Sequence, residues 1–115
     1  MYFQLEIWWV DLNPTKGAET RKKRPCVILQ SDLMNQSSRT ILVAPILPHF
    51  RDWPFVVNVA SSKRNGLDRD RHINLKQIRA VDISRIDKKL GKVEEKYRDK
   101  LLEAIELVFG NYEQK

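Results

Sequence analysis

Residues 7–29 read Ile-Trp-Trp-Val-Asp-Leu-Asn-Pro-Thr-Lys-Gly-Ala-Glu-Thr-Arg-Lys-Lys-Arg-Pro-Cys-Val-Ile-Leu. The stretch opens with aromatic and β-branched residues, which are typical of a strand, and this strand stops at Asn13-Pro14. The polar segment 14–23 then predicts a loop. The apolar run that begins at Pro25 predicts a second strand, buried on both faces. Arg24 therefore lies at the start of that second strand.

More short strands are predicted towards the C-terminus. The candidate segments are 40–47, 55–59, pieces around Ile73, Leu75 and 78–82, and 90–93. Pro45 has no backbone N–H to donate, so it marks an edge or a bulge of its strand. Ser31 or Asp32 is expected to cap one helical turn in the polar segment after the second strand.

The pattern of apolar residues changes near Glu94. Apolar residues then recur every three or four positions up to Gly110, which predicts an amphipathic C-terminal helix of about four turns. The 115 residues are expected to form one domain, residues 1–115, that is mainly β with a C-terminal helix. Many short strands followed by one helix favour a small, strongly curved antiparallel sheet or β-barrel on which the helix packs.

The positive charge is concentrated in two segments. The formal net charge is +6, with five cationic residues and one carboxylate in 16–24, and six cationic residues and two carboxylates in 63–79. This distribution favours a polyanionic partner such as a nucleic acid, although two basic solvated loops would give the same composition.

The composition also argues against several classes of protein. The longest apolar stretch, 41–47, is far shorter than the roughly 20 residues of a membrane helix, and the N-terminus lacks a signal-peptide pattern, so a cytoplasmic location is expected. The single cysteine, Cys26, lies in an apolar run and is expected to be a buried hydrophobic residue. A single cysteine cannot form a cysteine-based zinc site, and His49 and His72 lack the spacing of metal ligands. No metal or cofactor is therefore expected.

The order of the motifs resembles the MazF/PemK family of toxins. The matching motifs are Asp-Leu-Asn-Pro at 11–14, Gly-Ala-Glu at 17–19, Arg-Pro at 24–25, Asn35, the strand core at 41–45, Gly-Leu-Asp-Arg-Asp at 66–70, and Asn-Leu-Lys-Gln-Ile-Arg-Ala-Val-Asp at 74–82. The resemblance implies a compact β-barrel-like fold related to SH3 barrels, a homodimer, and the toxin half of a type II toxin–antitoxin pair. It also implies an acidic antitoxin whose C-terminal tail lies across the RNA groove.

The resemblance further implies a chemistry. Members of the family cleave single-stranded mRNA at short sequences without a metal, and their catalytic centre contains an arginine at the position of Arg24. A planar guanidinium suits this role because it matches phosphate oxygens and stabilises the charge that develops when the 2′-OH attacks the phosphodiester. Glu19 either orients Arg24 or pairs with Lys22 or Lys23.

Two positions depart from the family pattern. The family often has Thr or Ser just past the third strand's proline, where its hydroxyl acts with the arginine, and here that residue is Leu47. The residue before Gln77, often acidic in the family, is Lys76. His49 is the first candidate to replace the missing hydroxyl, because it lies two residues beyond Leu47 and histidine carries protons near neutral pH. His72 is the second candidate.

RNA contact is predicted for side chains in both basic segments. The predicted RNA-binding residues are Lys16, Arg21, Lys22 and Lys23 in the first segment, and Arg71, Asn74, Lys76, Gln77 and Arg79 in the second. Asn74 and Gln77 either read base edges or hold a strand. Phe50 and Trp53 either stack on unpaired bases or form an apolar plug on the barrel or at a dimer contact.

Three functions are compatible with the sequence. The first is a metal-independent, sequence-specific endoribonuclease toxin with Arg24, Glu19 and His49 in its catalytic centre. The second is an inactive family member that binds RNA or its antitoxin, which Leu47 and Lys76 would explain. The third is a gyrase-poisoning toxin of the same fold, resembling CcdB. The basic arginine loop counts against this third function, as does the C-terminal sequence at 109–115, which lacks the Trp-Gly-Ile ending of CcdB.

Overall fold

A computed structural model of the chain describes residues 1–13 and 23–110. The strands in these ranges are β1 (Glu6–Val10), β2 (Arg24–Ile28), β3 (Thr40–Pro48), β4 (Val56–Val59), β5 (Arg71–Asn74), β6 (Arg79–Asp82) and β7 (Ile86–Lys92), and the helices are α1 (Asp32–Asn35) and α2 (Arg98–Phe109). Short 3-10 turns occupy Leu75–Gln77, Ile83–Arg85 and Glu95–Tyr97. Neither α1 nor α2 is long and apolar enough to span a membrane.

The strands pair antiparallel in the order β4-β5-β3-β2-β1-β7, with β6 beside β3. The prediction of a mainly β domain with a C-terminal helix is confirmed. Of the two predicted forms, a strongly curved antiparallel sheet or a β-barrel, the described residues form an open sheet, because β4 and β7 stand at opposite ends of this order and do not pair with each other. Instead of closure, α2 packs beside β4 and buries apolar surface of the sheet.

The sheet carries an apolar core on each of its two faces. The first core lies on the α2 side and includes Ile7, Val27, Ala44, Ile46, Val57, Ile73 and Leu101. The second core lies on the opposite side and consists of Val10, Cys26, Ile28, Ile41, Val43, Val81 and Ile86. Neighbours in β2, such as Cys26 and Val27, belong to different cores because successive side chains point to opposite faces. This confirms that β2 is buried on both faces.

Pro45 lies where β3 changes its outer partner. The first part of β3, from Thr40 to Val43, pairs with β6, and the last part, from Ile46 to Pro48, pairs with β5. Pro45 lies between these two pairings, on a strand that also pairs with β2. Its missing N–H therefore falls at a change of partner within a central strand, rather than at the edge or bulge that was predicted.

Local capping explains the short helical elements. The hydroxyl of Ser31 caps α1, as one of the two predicted residues. Leu75 was predicted in a strand but begins a 3-10 turn, because Oδ1 of Asn74 accepts a hydrogen bond from the N–H of Lys76 at 3.1 Å. At the other end of the domain, α2 is followed by Gly110, the predicted stop.

Candidate functional site

Arg24 begins β2 on the face of the second core. It pairs with Val10 of β1, and Trp8 of β1 pairs with Cys26. Paired residues in antiparallel strands project from the same face, as do residues two apart in one strand. Because Val10 and Cys26 belong to the second core, Arg24 lies on the side of the sheet opposite α2, where it is half-buried.

A row of paired residues crosses the sheet beside Arg24. Leu47 of β3 pairs with His72 of β5, and His72 pairs with Asn58 of β4. The pairing of β2 with β3 ends at Cys26 and Pro45, so Arg24 stands two residues before this pair on β2 and Leu47 two residues beyond it on β3. Arg24, Leu47 and His72 therefore lie on three adjacent strands, β2, β3 and β5, and on one face of the sheet.

Arg79 joins this surface from β6. It pairs with Val43 of the second core, and its Nη1 donates a hydrogen bond to the carbonyl oxygen of Leu12 at 3.3 Å. Nη1 of Arg85 donates in the same way to the carbonyl oxygen of Asp11 at 3.2 Å. The two arginines thus hold the chain just after β1. We call the surface formed by Arg24, Leu47, His72 and Arg79 the arginine face.

The guanidinium groups of Arg79 and Arg24 influence the pKa of the Cys26 thiol. This residue is fully buried, which confirms the prediction of a buried hydrophobic cysteine. Burial raises the pKa of the Cys26 thiol to about 12, although the charges of Arg79 and Arg24 act in the opposite direction. The thiol is therefore protonated at neutral pH and does not supply a thiolate nucleophile.

His72 is a buried member of the arginine face, with 3% of its surface exposed. Its Nδ1 lies 2.7 Å from the carbonyl oxygen of His49. Its ring meets Trp53 edge-on, with the ring centres 5.8 Å apart and an interplanar angle of 84°. The other ring nitrogen, Nε2, is buried and has no hydrogen-bond partner among residues 1–13 and 23–110. The arginine face therefore contains an imidazole with one nitrogen unused by the described chain.

The loop between β3 and β4 presents exposed aromatic rings near this face. His49 is exposed and has a φ of 70°, which is uncommon for a residue other than glycine. Phe50 and Trp53 are 48% and 44% exposed. Trp53 stacks on Phe55 with ring centres 5.5 Å apart, and the guanidinium of Arg51 lies 5.3 Å from its ring centre. Base stacking and contact with a second chain both remain predictions for the exposed rings.

The predicted RNA-binding residues of the second basic segment do not lie on one surface. Arg71 lies on the α2 side of β5 and forms an ion pair with Asp68, with Nη2 and Oδ1 3.0 Å apart. Asn74 is buried and caps the turn, which supports the alternative that it holds local structure. Lys76 and Gln77 are exposed in that turn.

The first basic segment lies mostly outside the described residues. The predicted site residues that fall there are Lys16, Glu19, Arg21 and Lys22. Lys23 is described, and its Nζ lies 2.7 Å from Oδ2 of Asp87 on β7. This hydrogen-bonded pair raises the pKa of Lys23 and lowers the pKa of Asp87.

Sequence comparison identifies the family. A family model described as PemK-like, MazF-like toxin of type II toxin-antitoxin system matches residues 3–109. "Endoribonuclease EndoA" of Bacillus subtilis is 32% identical over 103 residues, which are 89% of each chain. "Endoribonuclease MazF" of Staphylococcus saprophyticus is 35% identical over 106 residues, 91% of this chain and 88% of that protein. The chain belongs to the PemK/MazF family of type II toxin–antitoxin toxins, which confirms the resemblance carried by its motifs.

Solved structures share the fold. Mycobacterium tuberculosis toxin MazF-mt6 is similar with a TM-score of 0.77, covering 90% of this chain and 95% of its own, at 22% identity. An endoribonuclease in complex with its cognate antitoxin from a mycobacterial species is similar with a TM-score of 0.79, covering 99% of this chain and 100% of its own, at 15% identity. At these identities the likeness concerns the fold.

The pairing of His72 with Leu47 could not be predicted from the sequence. Alternation along β5 already puts His72 and Ile73 on opposite faces, and this is visible in the sequence. Which strand lies next to β5, and in which register, depends on the tertiary pairing with β3. That pairing is what brings His72 beside the position of the expected hydroxyl.

Proposed function

We propose that this protein is the toxin of a type II toxin–antitoxin pair and a metal-independent, sequence-specific endoribonuclease of single-stranded RNA, chiefly mRNA. The observation that carries the proposal is the half-buried Arg24 on the arginine face, in a chain whose relatives are named endoribonucleases. Arg24 is the arginine of the family's Arg-Pro motif, and it lies on the arginine face.

The proposed reaction uses the substrate's own hydroxyl as nucleophile. The ribose O2′ attacks the adjacent phosphorus, the O2′–P bond forms, and the P–O5′ bond breaks. The products are a 2′,3′-cyclic phosphate and a 5′-hydroxyl. Charge builds up on the phosphoryl oxygens in the transition state, and the Arg24 guanidinium stabilises it there through paired N–H donors.

Other residues complete the proposed centre. Glu19, outside the described residues, orients Arg24. A group that accepts the proton of the 2′-OH is also needed, and the sequence favoured His49 for this role ahead of His72. Arg79 adds a second positive charge to the arginine face and keeps phosphate groups close to Arg24.

The proposed partners follow from the family and the charge. We propose a homodimer that binds an acidic antitoxin, because the chain carries a net charge of +6 and opposite charges speed association. The proposed mRNA substrate is found in the cytoplasm, which we propose as the location of the protein.

Incubation of the purified protein with a mixed-sequence single-stranded RNA in EDTA tests the proposal. We expect fragments that begin with a 5′-hydroxyl and end in a 2′,3′-cyclic phosphate. Fragments with 3′-hydroxyl ends would contradict the internal attack, because that route leaves the phosphate on the 3′ side. Salt-sensitive RNA binding without cleavage would support the second candidate, an inactive binding module, which is favoured by the absence of a hydroxyl at Leu47.

A further inference from the structure

The unused nitrogen of His72 is unusual for a folded protein. Most buried polar atoms have a hydrogen-bond partner, because leaving a buried acceptor unpaired costs free energy. Nε2 of His72 is buried, and no donor reaches it within the described chain. An unpaired acceptor of this kind indicates a place where a ligand supplies the missing donor.

The contact on the other side of the ring fixes the proton. A backbone carbonyl accepts hydrogen bonds and does not donate them. Nδ1 of His72 must therefore carry the proton that it donates to the carbonyl oxygen of His49 at 2.7 Å. In the neutral ring this leaves the lone pair on Nε2, which is the form that a proton acceptor needs.

The position of His72 matches the role left open by Leu47. His72 pairs with Leu47, and Arg24 lies on β2, on the other side of β3 and on the same face of the sheet. Neighbouring strands are spaced by about 5 Å, so β2 and β5, on either side of β3, run about 10 Å apart where they flank it. A phosphodiester placed over Leu47 then has a guanidinium on one side and an imidazole on the other.

We propose that His72 is the general base of this RNA cleavage, with Nε2 accepting the proton of the attacking 2′-OH. The inference rests on the proposed endoribonuclease function and names the group that replaces the hydroxyl absent at Leu47. As the O2′–P bond forms, the 2′-OH proton moves to Nε2. As the P–O5′ bond breaks, O5′ takes a proton from water, and the imidazolium returns its proton to the solvent.

Because Nε2 is buried, a neighbouring group has to move before substrate reaches it, and we propose that this group is Trp53. The Trp53 ring lies edge-on to His72, and its 44% exposure leaves it room to turn outwards. An unpaired RNA base that stacks on Trp53 would hold it in that outward position. In this arrangement the imidazole is shielded from water until substrate binds.

The charged and titratable groups around His72 come from three elements. The β3–β4 loop contributes His49, whose carbonyl oxygen contacts the ring, and Arg51, whose guanidinium lies over the neighbouring Trp53, and the same face of β2 contributes Arg24. On β4 the paired residue is the neutral Asn58. The pH profile of cleavage therefore has to be compared between the wild type and the His72 variant.

His72→Asn is the most informative substitution. The asparagine amide N–H₂ lies where Nδ1 was and can still donate to the carbonyl oxygen of His49, while the lone pair of Nε2 is lost. We expect kcat to fall by roughly a hundredfold to ten-thousandfold, with little change in KM. Cleavage by the wild type should decline towards acidic pH, because a protonated imidazole accepts no proton, and the residual rate of the variant should lack this decline.

Asn58→Ala is the control for damage to the loop. Asn58 holds the loop through two 3.0 Å hydrogen bonds with the backbone of Arg51, so this variant loosens the loop and keeps the imidazole. We expect a change in KM and an unchanged acidic decline. A His72→Asn variant that cleaves within threefold of the wild type would overturn the proposal and leave the endoribonuclease function standing.

Further outcomes separate the remaining explanations. Loss of cleavage in His49→Asn together with retention in His72→Asn would identify His49 as the base and overturn the inference. If the folded wild type does not cleave, both the function and the inference fail. If His72→Asn fails to fold, Leu47→Thr/His72→Gln serves in its place. We expect the hydroxyl of the double variant to raise cleavage above that of His72→Gln alone. If both variants cleave as fast as the wild type, the proposal is overturned.

Discussion

Leu47 and His72 lie directly opposite each other where β3 pairs with β5. Leu47 occupies the position at which the family often carries a hydroxyl, and its cross-strand neighbour carries an imidazole. Paired side chains in antiparallel strands share one face and are close in space. The polar side chain that β3 lacks at Leu47 is therefore present on β5 as His72, on the same face of the sheet as Arg24.

The exposed Lys76 should contribute to RNA affinity. Its Nζ lies 5.4 Å from the ring centre of Phe55, and it belongs to the basic segment 63–79. We expect Lys76→Gln to weaken RNA binding for all sequences alike, and to reduce the slope of log affinity against log salt by about 0.7 for each phosphate that is no longer neutralised. Fluorescence anisotropy with a 2′-O-methylated RNA, which cannot undergo internal attack, measures this slope.

The matched control for Lys76 is Lys96→Gln on the helical side of the domain, where Lys96 lies over the Tyr97 ring. This variant should keep the wild-type slope. Equal slopes for Lys76→Gln and the wild type would show that Lys76 does not contact phosphate.

The turn at Gly66 should not tolerate a side chain. Gly66 has a φ of 72°, and a Cβ at this position would collide with the backbone carbonyl of Leu90. We expect Gly66→Ala to lower the free energy of unfolding by more than about 2 kcal/mol. In urea unfolding, Gly110→Ala is the control, because its φ of −74° suits any residue. Similar midpoints for the two variants would contradict the prediction.

The Cys26 thiol should be inert in the folded protein. It is fully buried, and burial raises its pKa to about 12, so little thiolate forms at the mildly alkaline pH of alkylation assays. We expect iodoacetamide to label Cys26 only after denaturation, as followed by mass spectrometry. Rapid labelling of the native protein would show that the second core opens readily.

Glu6 should stabilise the fold more at neutral than at acidic pH. Burial raises its pKa, but hydrogen bonds from Lys89, the backbone N–H of Phe3 and the indole of Trp8 outweigh burial and lower the pKa below 4.5. A lowered pKa in the folded state adds stability above the unfolded-state pKa, and this stability is lost as the pH falls through the folded-state value.

We therefore expect Glu6→Gln to be less stable than the wild type at pH 7, with a difference that shrinks as the pH is lowered below about 4. Urea unfolding of both proteins across this range measures the difference. A difference that grows on acidification would contradict the assigned direction.

Local signals in the sequence were enough for most of the fold. Periodicity marked β1, β2 and α2, and Ser31 and Gly110 marked helix ends, because these features depend on neighbouring residues. Whether the sheet closes into a barrel depends instead on long-range pairing, so the sequence could not decide between a curved sheet and a barrel. The turn at Leu75 was missed because Asn74 uses its side chain as a cap rather than as a strand residue.

For the site, the sequence motif identified Arg24, but the surroundings of Arg24 could not be predicted. Which of the two histidines lies beside it depends on the register of β5 against β3. Likewise, the assignment of Arg71 to the α2 side and of Arg79 to the arginine face required the strand pairings.

The catalytic role of Arg24 is tested most directly by RNA cleavage with Arg24→Ala, measured in EDTA beside the wild type and Arg39→Ala. Arg39 is a suitable control because its side chain is 83% exposed and its Nη2 lies 3.6 Å from Oδ1 of Asp82, outside the arginine face. We predict that Arg24→Ala cleaves at least about a hundredfold more slowly, the size expected for removal of a group that stabilises transition-state charge. Arg39→Ala should cleave like the wild type. Cleavage by folded Arg24→Ala within threefold of the wild type would show that Arg24 does not stabilise the transition state.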